Sequence, residues 1–245
     1  MAEIEVSHLT FSYDGKRDVL SDMSFRIKEG ETVGLIGANG TGKSTILKLL
    51  VGLLSGHQGS IQADGVEVEK KSLEEVRRKI GYVFQDSDSQ LFLSTVYEDV
   101  AFGPRNYGYS KEEVERRVLQ ALKQVHMEEW KDRQIYRLSG GQKKLVSIAT
   151  ILSMEPEILL FDEPSIALDP RNRKHLIHII KEMKGLKIIA SHDLDLILDT
   201  CPRTILIAGG HIIRDGNTKD ILMNQKLLCE NGLELPLSLE NRKTL

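Results

Sequence analysis

Apolar and polar residues alternate along the N-terminal part of the chain, which is the period of a half-buried strand. Ile4 to Tyr13 and Val19 to Ile27 both read this way, with Asp14-Gly15 as the turn between them. Lys28-Glu29-Gly30 closes the second segment, and Gly59 to Val68 adds to the same antiparallel region. Inside it, Thr32 to Ile36 is a short buried strand. The period then changes, because Ile46, Leu47, Leu49, Leu50 and Leu53 recur at helical spacing. Ile80 to Phe84 reads as a buried strand that ends on Gln85, followed by the polar loop Asp86 to Gln90 and the apolar Leu91-Phe92-Leu93.

Helical signals dominate the middle. Ser72 to Glu75 and Ser110 to Glu113 both have the S-x-x-E form of a capping box. The second opens a helix with Val114, Val118, Leu122 and Val125 on one face, and its charge run, Lys111 to Arg117, predicts a solvated face. Another helix follows Leu138-Ser139-Gly140-Gly141-Gln142 and runs to about Met154. Ile158 to Phe161 is a continuous apolar run, which suits a central parallel strand covered on both faces. A helix over Arg171 to Met183 turns Leu176, Ile177, Ile180 and Met183 inward. Lys187 to Ala190 is a strand, and a hairpin around Gly209-Gly210 closes the pattern. The expected fold is α/β, with a mostly parallel core and an antiparallel N-terminal β-subdomain. Its expected segments are a core of about 1–92 and 155–223, a helical insert at about 93–154, and a tail at 224–245.

Composition narrows the class without naming a function. The chain has 245 residues, 40% of them hydrophobic, and a net charge of −3, as an ordinary globular protein does. That balance offers no basic field for nucleic acid, so none is expected as a partner. No apolar run approaches a membrane span, and Met1 to Glu5 lacks the features of a signal peptide. Cys201 and Cys229 are too few and too isolated for a disulfide framework or a zinc site, so they read as reduced thiols of a cytosolic protein.

The chemistry is densest at Gly37-Ala38-Asn39-Gly40-Thr41-Gly42-Lys43-Ser44, which fits the phosphate-binding loop G-x-x-x-x-G-K-[ST] in its required strand-to-helix context. Glycines let backbone N–H groups turn inward as an anion nest at a helix N-terminus. Lys43 can reach outer phosphates and the Ser44 hydroxyl can ligate Mg²⁺. The chain therefore binds a nucleoside triphosphate. Asp162 and Glu163 end an apolar strand, a costly place for unpaired charge, and read as a Mg²⁺-associated carboxylate and a general base. His192 also follows a strand and reads alone as a satisfied loop histidine. Tyr13 alone reads as a strand-end aromatic, and His175 and His178 read as surface. The glycine pair before the helix at 140 is either an ordinary turn or a second phosphate-directed N-terminus.

Together these pieces resemble the ATPase subunit of ATP-binding-cassette (ABC) transporters, over nearly the whole chain. The loop from Gly37 to Ser44, with Thr45 after it, matches Walker A, and Ile158 to Glu163 resembles Walker B. Leu138 to Gln142 is the L-S-G-G-Q signature, Gln85 falls at the Q-loop and His192 at the switch histidine. Ser165 to Asp169 falls at the D-loop, with Ile166-Ala167 where Ala-Gly is commoner, and Leu145 stands where an arginine often follows the signature. The resemblance implies ATP and Mg²⁺ as cofactors, with Ser44, Gln85 and Asp162 around the metal. It places Tyr13 on adenine, and Ser139, Gly141 and Gln142 on a second chain's nucleotide. It further implies a partner ATPase chain, a homodimer in preference to a heterodimer, and integral-membrane subunits at the cytoplasmic face of the cell membrane.

The segments Val83 to Phe92 and Glu98 to Pro104 look like the energy-coupling-factor branch of importers. Ser191-His192-Asp193-Leu194-Asp195 and Gly232 to Leu237 look most like its cobalt and nickel members. The expected function is ATP-driven uptake of such a cation. The same ATPase in a vitamin importer, or a non-transport ABC ATPase, is the alternative.

Overall fold

The period-2 segments become two strands, β1 (Glu3–Ser12) and β2 (Asp18–Lys28), paired antiparallel. Their apolar phase is not constant. Ile4 and Val6 are buried, then Leu9 and Phe11. The switch falls at His8, which takes a left-handed φ of 52° where the pairing slips, a bulge that keeps both apolar sets on one face. The computed structural model describes residues 2–166 and 168–240. Met1, Ala167 of the segment 165–169, and residues 241–245 of the tail lie outside the described residues.

In chain order, β3 (Thr32–Ile36) leads into α1 (Lys43–Leu50), followed by β4 (Gln58–Ala63) and β5 (Val66–Glu67). After α2 (Leu73–Lys79) and β6 (Ile80–Val83) come three helices: α3 (Val96–Asn106), α4 (Lys111–Gln124) and α5 (Gly140–Leu152). The core resumes with β7 (Ile158–Asp162), α6 (Pro170–Glu182), β8 (Leu186–Ala190) and α7 (Leu194–Thr200). It finishes with β9 (Arg203–Ala208), β10 (His211–Asn217), α8 (Thr218–Leu222), α9 (Gln225–Glu230) and α10 (Leu237–Glu240).

Two sheets result. One is antiparallel, in the order β2-β1-β4-β5. The other runs β10-β9-β3-β8-β7-β6, parallel except for the edge strand β10. The continuous apolar runs are explained by burial on both faces. In β7, Leu159 and Phe161 pack into the core shared with the helices α3 to α5, whereas Ile158 and Leu160 face α1 and the antiparallel sheet. Because β8 lies between β3 and β7, the loops leaving these three strands emerge side by side. In an open parallel sheet that is where ligands bind.

Helix starts correct the sequence pattern in several places. Ser72 makes no capping hydrogen bond. Its hydroxyl turns back to the carbonyls of Glu67 and Glu69 instead. Ser110 accepts from Glu113 N–H at 3.3 Å, but the Glu113 carboxylate is drawn away by Arg116 and Arg117, so only half the box forms. A complete box stands at Thr95 and Glu98. Arg117 is not on a solvated face. It stacks over Tyr109 at 4.1 Å and pairs with Glu113 and Glu155. His175 is half-buried against the His126 ring, at 5.2 Å between centroids, while His178 is exposed as expected.

The described part of the tail is tied to α7. Asp195 accepts hydrogen bonds from Leu237 N at 3.1 Å, from Ser238 N at 3.2 Å and from the Ser238 hydroxyl. Leu233 and Leu235 pack onto the main core, and Gly232 approaches Ala38 of the phosphate loop. The two C-terminal segments singled out in the sequence, 191–195 and 232–237, are thus in direct contact. Among the described residues no helix is long and apolar enough to cross a membrane.

Candidate functional site

The loop after β3 can fold tightly because its glycines take conformations closed to other residues. Gly42, which caps α1, has φ 98°, and a Cβ there would lie 2.5 Å from Leu20 Cδ2. A Cβ on Gly37 would lie 2.3 Å from the Ile207 carbonyl oxygen. Lys43 is buried with its ammonium folded over the loop, donating to Gly37 O at 2.7 Å and Ala38 O at 3.2 Å. An ammonium has three N–H groups, so a donor remains for a further oxygen. Burial pushes the Lys43 pKa down, with Glu163 and Asp162 opposing that shift.

The carboxyl end of β7 brings in the acids. Asp162, 3% exposed, accepts from Ser44 Oγ at 2.8 Å on one oxygen and from the Tyr82 hydroxyl at 2.8 Å on the other. The place of Tyr82 in a buried strand does not by itself mark this role. The available signal is that a tyrosine there must find a partner for its hydroxyl. Burial and the Asp162 charge raise the Tyr82 pKa, keeping it a donor. Glu163 sits at φ 47°, a left-handed conformation that a non-glycine residue holds only when its surroundings enforce it. Its N–H donates to Ala190 O at 2.8 Å, and its Oε2 accepts from Ser191 Oγ at 3.2 Å and His192 N at 3.2 Å. His192 Nδ1 lies 2.7 Å from the same oxygen. Where the carboxylate is ionised it can only accept, so in this pair Nδ1 is the donor. Among the described residues no hydrogen bond reaches Glu163 Oε1.

These groups line one cleft of about 690 Å³. Asn39, Gly40, Thr41, Gly42, Lys43, Ser44 and Thr45 form its floor, and Gln85, Glu163 and His192 stand around it. Tyr13 forms one wall, its hydroxyl 3.0 Å from Thr45 Oγ1. Val19 and Ile166 also line the cleft. Gly37 and Ala38 lie at the start of the loop beneath Lys43, and Asp162 is buried behind Ser44.

Ser139, Gly141 and Gln142 are not among the residues lining this cleft. They open α5 through a complete capping box. Ser139 Oγ accepts from Gln142 N at 3.3 Å, and Gln142 Oε1 accepts from Ser139 N at 2.9 Å. Ser139 and Gly140 are exposed, while Gly141 packs against Asn172. The second helix N-terminus is therefore open to something other than this chain's own loop.

For Mg²⁺, a hydroxyl and a carboxylate oxygen are the hard donors such a cation takes, usually with phosphates supplying the rest. Among the described residues no group of three His, Cys, Asp or Glu able to hold a metal ion occurs.

A phosphate loop, paired acids at a strand end and a capped helix whose first residues do not line the cleft define a nucleotide-hydrolysing cassette. The family profile described as ABC transporter matches residues 20–166, and the chain belongs to that family, as an ATP-binding, ATP-hydrolysing subunit. A putative ABC transporter ATP-binding protein of Geobacter sulfurreducens is 46% identical over 237 residues, 97% of this chain and 95% of that protein. An energy-coupling factor transporter ATP-binding protein of Carboxydothermus hydrogenoformans is 40% identical, over 96% and 87%. Among solved structures, cbiO1 of Clostridium perfringens, part of the ABC transporter complex cbiONQ, superposes with a TM-score of 0.84. It is 35% identical, with 99% of this chain and 98% of that one covered.

Proposed function

We propose that this chain powers an energy-coupling-factor importer for a transition-metal cation, cobalt or nickel. In this reading two copies face head to tail beneath membrane subunits at the cytoplasmic face. The observation that carries the hydrolytic part is Glu163. It is clamped through Oε2 by Ser191 and His192, among the described residues no hydrogen bond reaches its Oε1, and it lines the same cleft as Lys43 and Ser44.

Each residue then has a task. The Tyr13 ring stacks on adenine, and the Gly37-to-Thr45 amides with the free N–H of Lys43 hold the phosphates. Glu163 orients and deprotonates water through Oε1. His192 and Gln85 meet the γ-phosphate side of the nucleotide. Ser44, Asp162 and Gln85 would hold Mg²⁺, which when bound neutralises phosphate charge. Ser139, Gly141 and Gln142, at the positive end of α5, serve the partner copy's nucleotide. That division is supported by their separation from this chain's own cleft.

The cation is supported by the segments 191–195 and 232–237, which resemble the cobalt and nickel members and which Asp195 bonds together. It is supported also by likeness over nearly the full length to a cbiONQ subunit. Two measurements test the proposal. Glu163→Gln should keep ATP binding and lower turnover by about 10²-fold or more; undiminished hydrolysis would reject the base assignment. A deletion strain should lose accumulation of radiolabelled cobalt or nickel at trace concentration. Normal metal uptake with lost vitamin uptake would reject the cation and keep the importer branch.

A further inference from the structure

Helix α5 carries a buried ammonium that the reading above does not use. Lys143 and Lys144 are adjacent but turn opposite ways. Lys143 faces outward and pairs with the exposed Asp88 at 2.6 Å. Lys144 is 2% exposed, and its Nζ donates to Phe84 O at 2.9 Å and Gln85 O at 2.7 Å. Taking this charge out of water is costly, and burial pulls its pKa down to about 8 despite Asp86 and Asp162 nearby.

A second clasp lies beside the first. Phe84 N–H donates to Gln90 Oε1 at 3.0 Å, and Gln90 Nε2 donates to Ser147 O at 2.6 Å and Thr150 Oγ1 at 2.9 Å. The segment after β6 is thus bonded to α5 through its N–H and C=O groups alike. The Gln85 side chain itself is exposed at the cleft, and no hydrogen bond to its amide occurs among the described residues. Its place is set through its backbone, and its carbonyl is held by Lys144.

We propose that Lys144 is a positioning residue: it fastens Gln85 to the signature helix, so that Gln85 meets the nucleotide only while α5 is in place. This rests on the reading of Gln85 as a group directed at γ-phosphate and Mg²⁺. The geometry makes the link short. Lys144 stands five residues into α5 from Ser139, about 7.5 Å along its axis, so one rigid turn and a half joins the signature to the carbonyl of Gln85.

The test compares Lys144→Met, Lys144→Arg, Gln85→Ala and the Lys144→Met/Gln85→Ala pair in the purified full chain. The readouts are binding of a fluorescent ATP analogue and steady-state hydrolysis. Lys144→Met should leave nucleotide affinity within about 3-fold while kcat falls about 10- to 100-fold, the scale of a misplaced group near the reacting atoms. Lys144→Arg keeps the donors and should recover most of the loss. The pair should be no slower than Gln85→Ala alone, because a residue acting through another is non-additive with it. Where Lys144→Met does not fold, Lys144→Gln, with two N–H donors on a shorter stem, carries the same comparison. Multiplying losses in the pair, or a raised KM at unchanged kcat, would overturn the proposal. Full activity in Gln85→Ala would instead remove the reading of Gln85, and the proposal with it.

Discussion

Tyr82→Phe isolates one hydrogen bond in the centre of the nucleotide site. The two side chains have the same ring, so the packing against Phe84, 4.9 Å between centroids, survives and no cavity opens. What disappears is the 2.8 Å hydrogen bond to Asp162, a carboxylate only 3% exposed. Ser44 still serves the other oxygen, so the carboxylate keeps one donor and loses one. Hydrogen bonds to charged groups contribute about 1.5–3 kcal/mol, so a loss of about 2 kcal/mol is expected, roughly 30-fold in the folding equilibrium. For a chain of this size that is a Tm lower by about 4–8 °C. Thermal unfolding followed by far-UV circular dichroism, without nucleotide, measures it. Asp162→Asn provides the control, because a hydrogen bond to a neutral amide is weaker and Tyr82→Phe should cost less in that background. Hydrolysis supplies a second readout: the Mg²⁺ concentration giving half-maximal rate should rise about 10-fold, the scale of losing an outer partner of a metal ligand. A Tm within about 1 °C of the parent would refute the assigned energy, and an equal cost in both backgrounds would refute the charge-assisted bond.

Three further outcomes follow from particular contacts. In a purified homodimer, mixing Lys43→Ala with Ser139→Ala should restore ATP-dependent association that neither variant shows alone, since one of the two interfaces regains both groups; no recovery would argue for a signature acting within its own chain. Ser139 is the better choice than Gly141, whose added Cβ would lie 2.5 Å from Asn172 Nδ2 and disturb the chain's own packing. Asp195→Ala removes the acceptor for Leu237 N, Ser238 N and the Ser238 hydroxyl, so limited proteolysis should cut around residues 236–240 faster, with a global loss of only about 1 kcal/mol; unchanged cleavage would show that Leu233 and Leu235 hold the tail alone. At pH 8, iodoacetamide should alkylate exposed Cys229 and spare Cys201 until the chain unfolds, because burial pushes the Cys201 thiol up to about 12 and only thiolate reacts. Mass spectrometry showing equal labelling of both would contradict that burial.

Much of the site was legible because its chemistry is local. Gly37 to Ser44 carry a phosphate loop wherever a strand precedes and a helix follows, so spacing alone identifies them. Asp162 and Glu163 were legible for a different reason, as adjacent charges where an apolar strand ends. The S-x-x-E pattern at Ser72 misled, because a capping box is a competition among local partners and the Glu67 and Glu69 carbonyls won the serine.

Tertiary structure alone decided which distant groups meet. The order of neighbours β3-β8-β7 sets the phosphate loop, His192 and Glu163 around one cleft, although 118 residues separate Ser44 from Asp162. Tyr82 reaches Asp162, and Lys144 reaches the Gln85 carbonyl, only through such pairings. A tyrosine in an apolar strand and one of two adjacent lysines carry no mark of their partners. The left-handed backbone of Glu163 is equally a product of the assembled site, held by Ala190, Ser191 and His192 from the next strand. Periodicity and motif spacing describe what each segment can do within a few residues of itself. A buried carboxylate or ammonium is satisfied by whatever the packed sheet places beside it, and that depends on strand order.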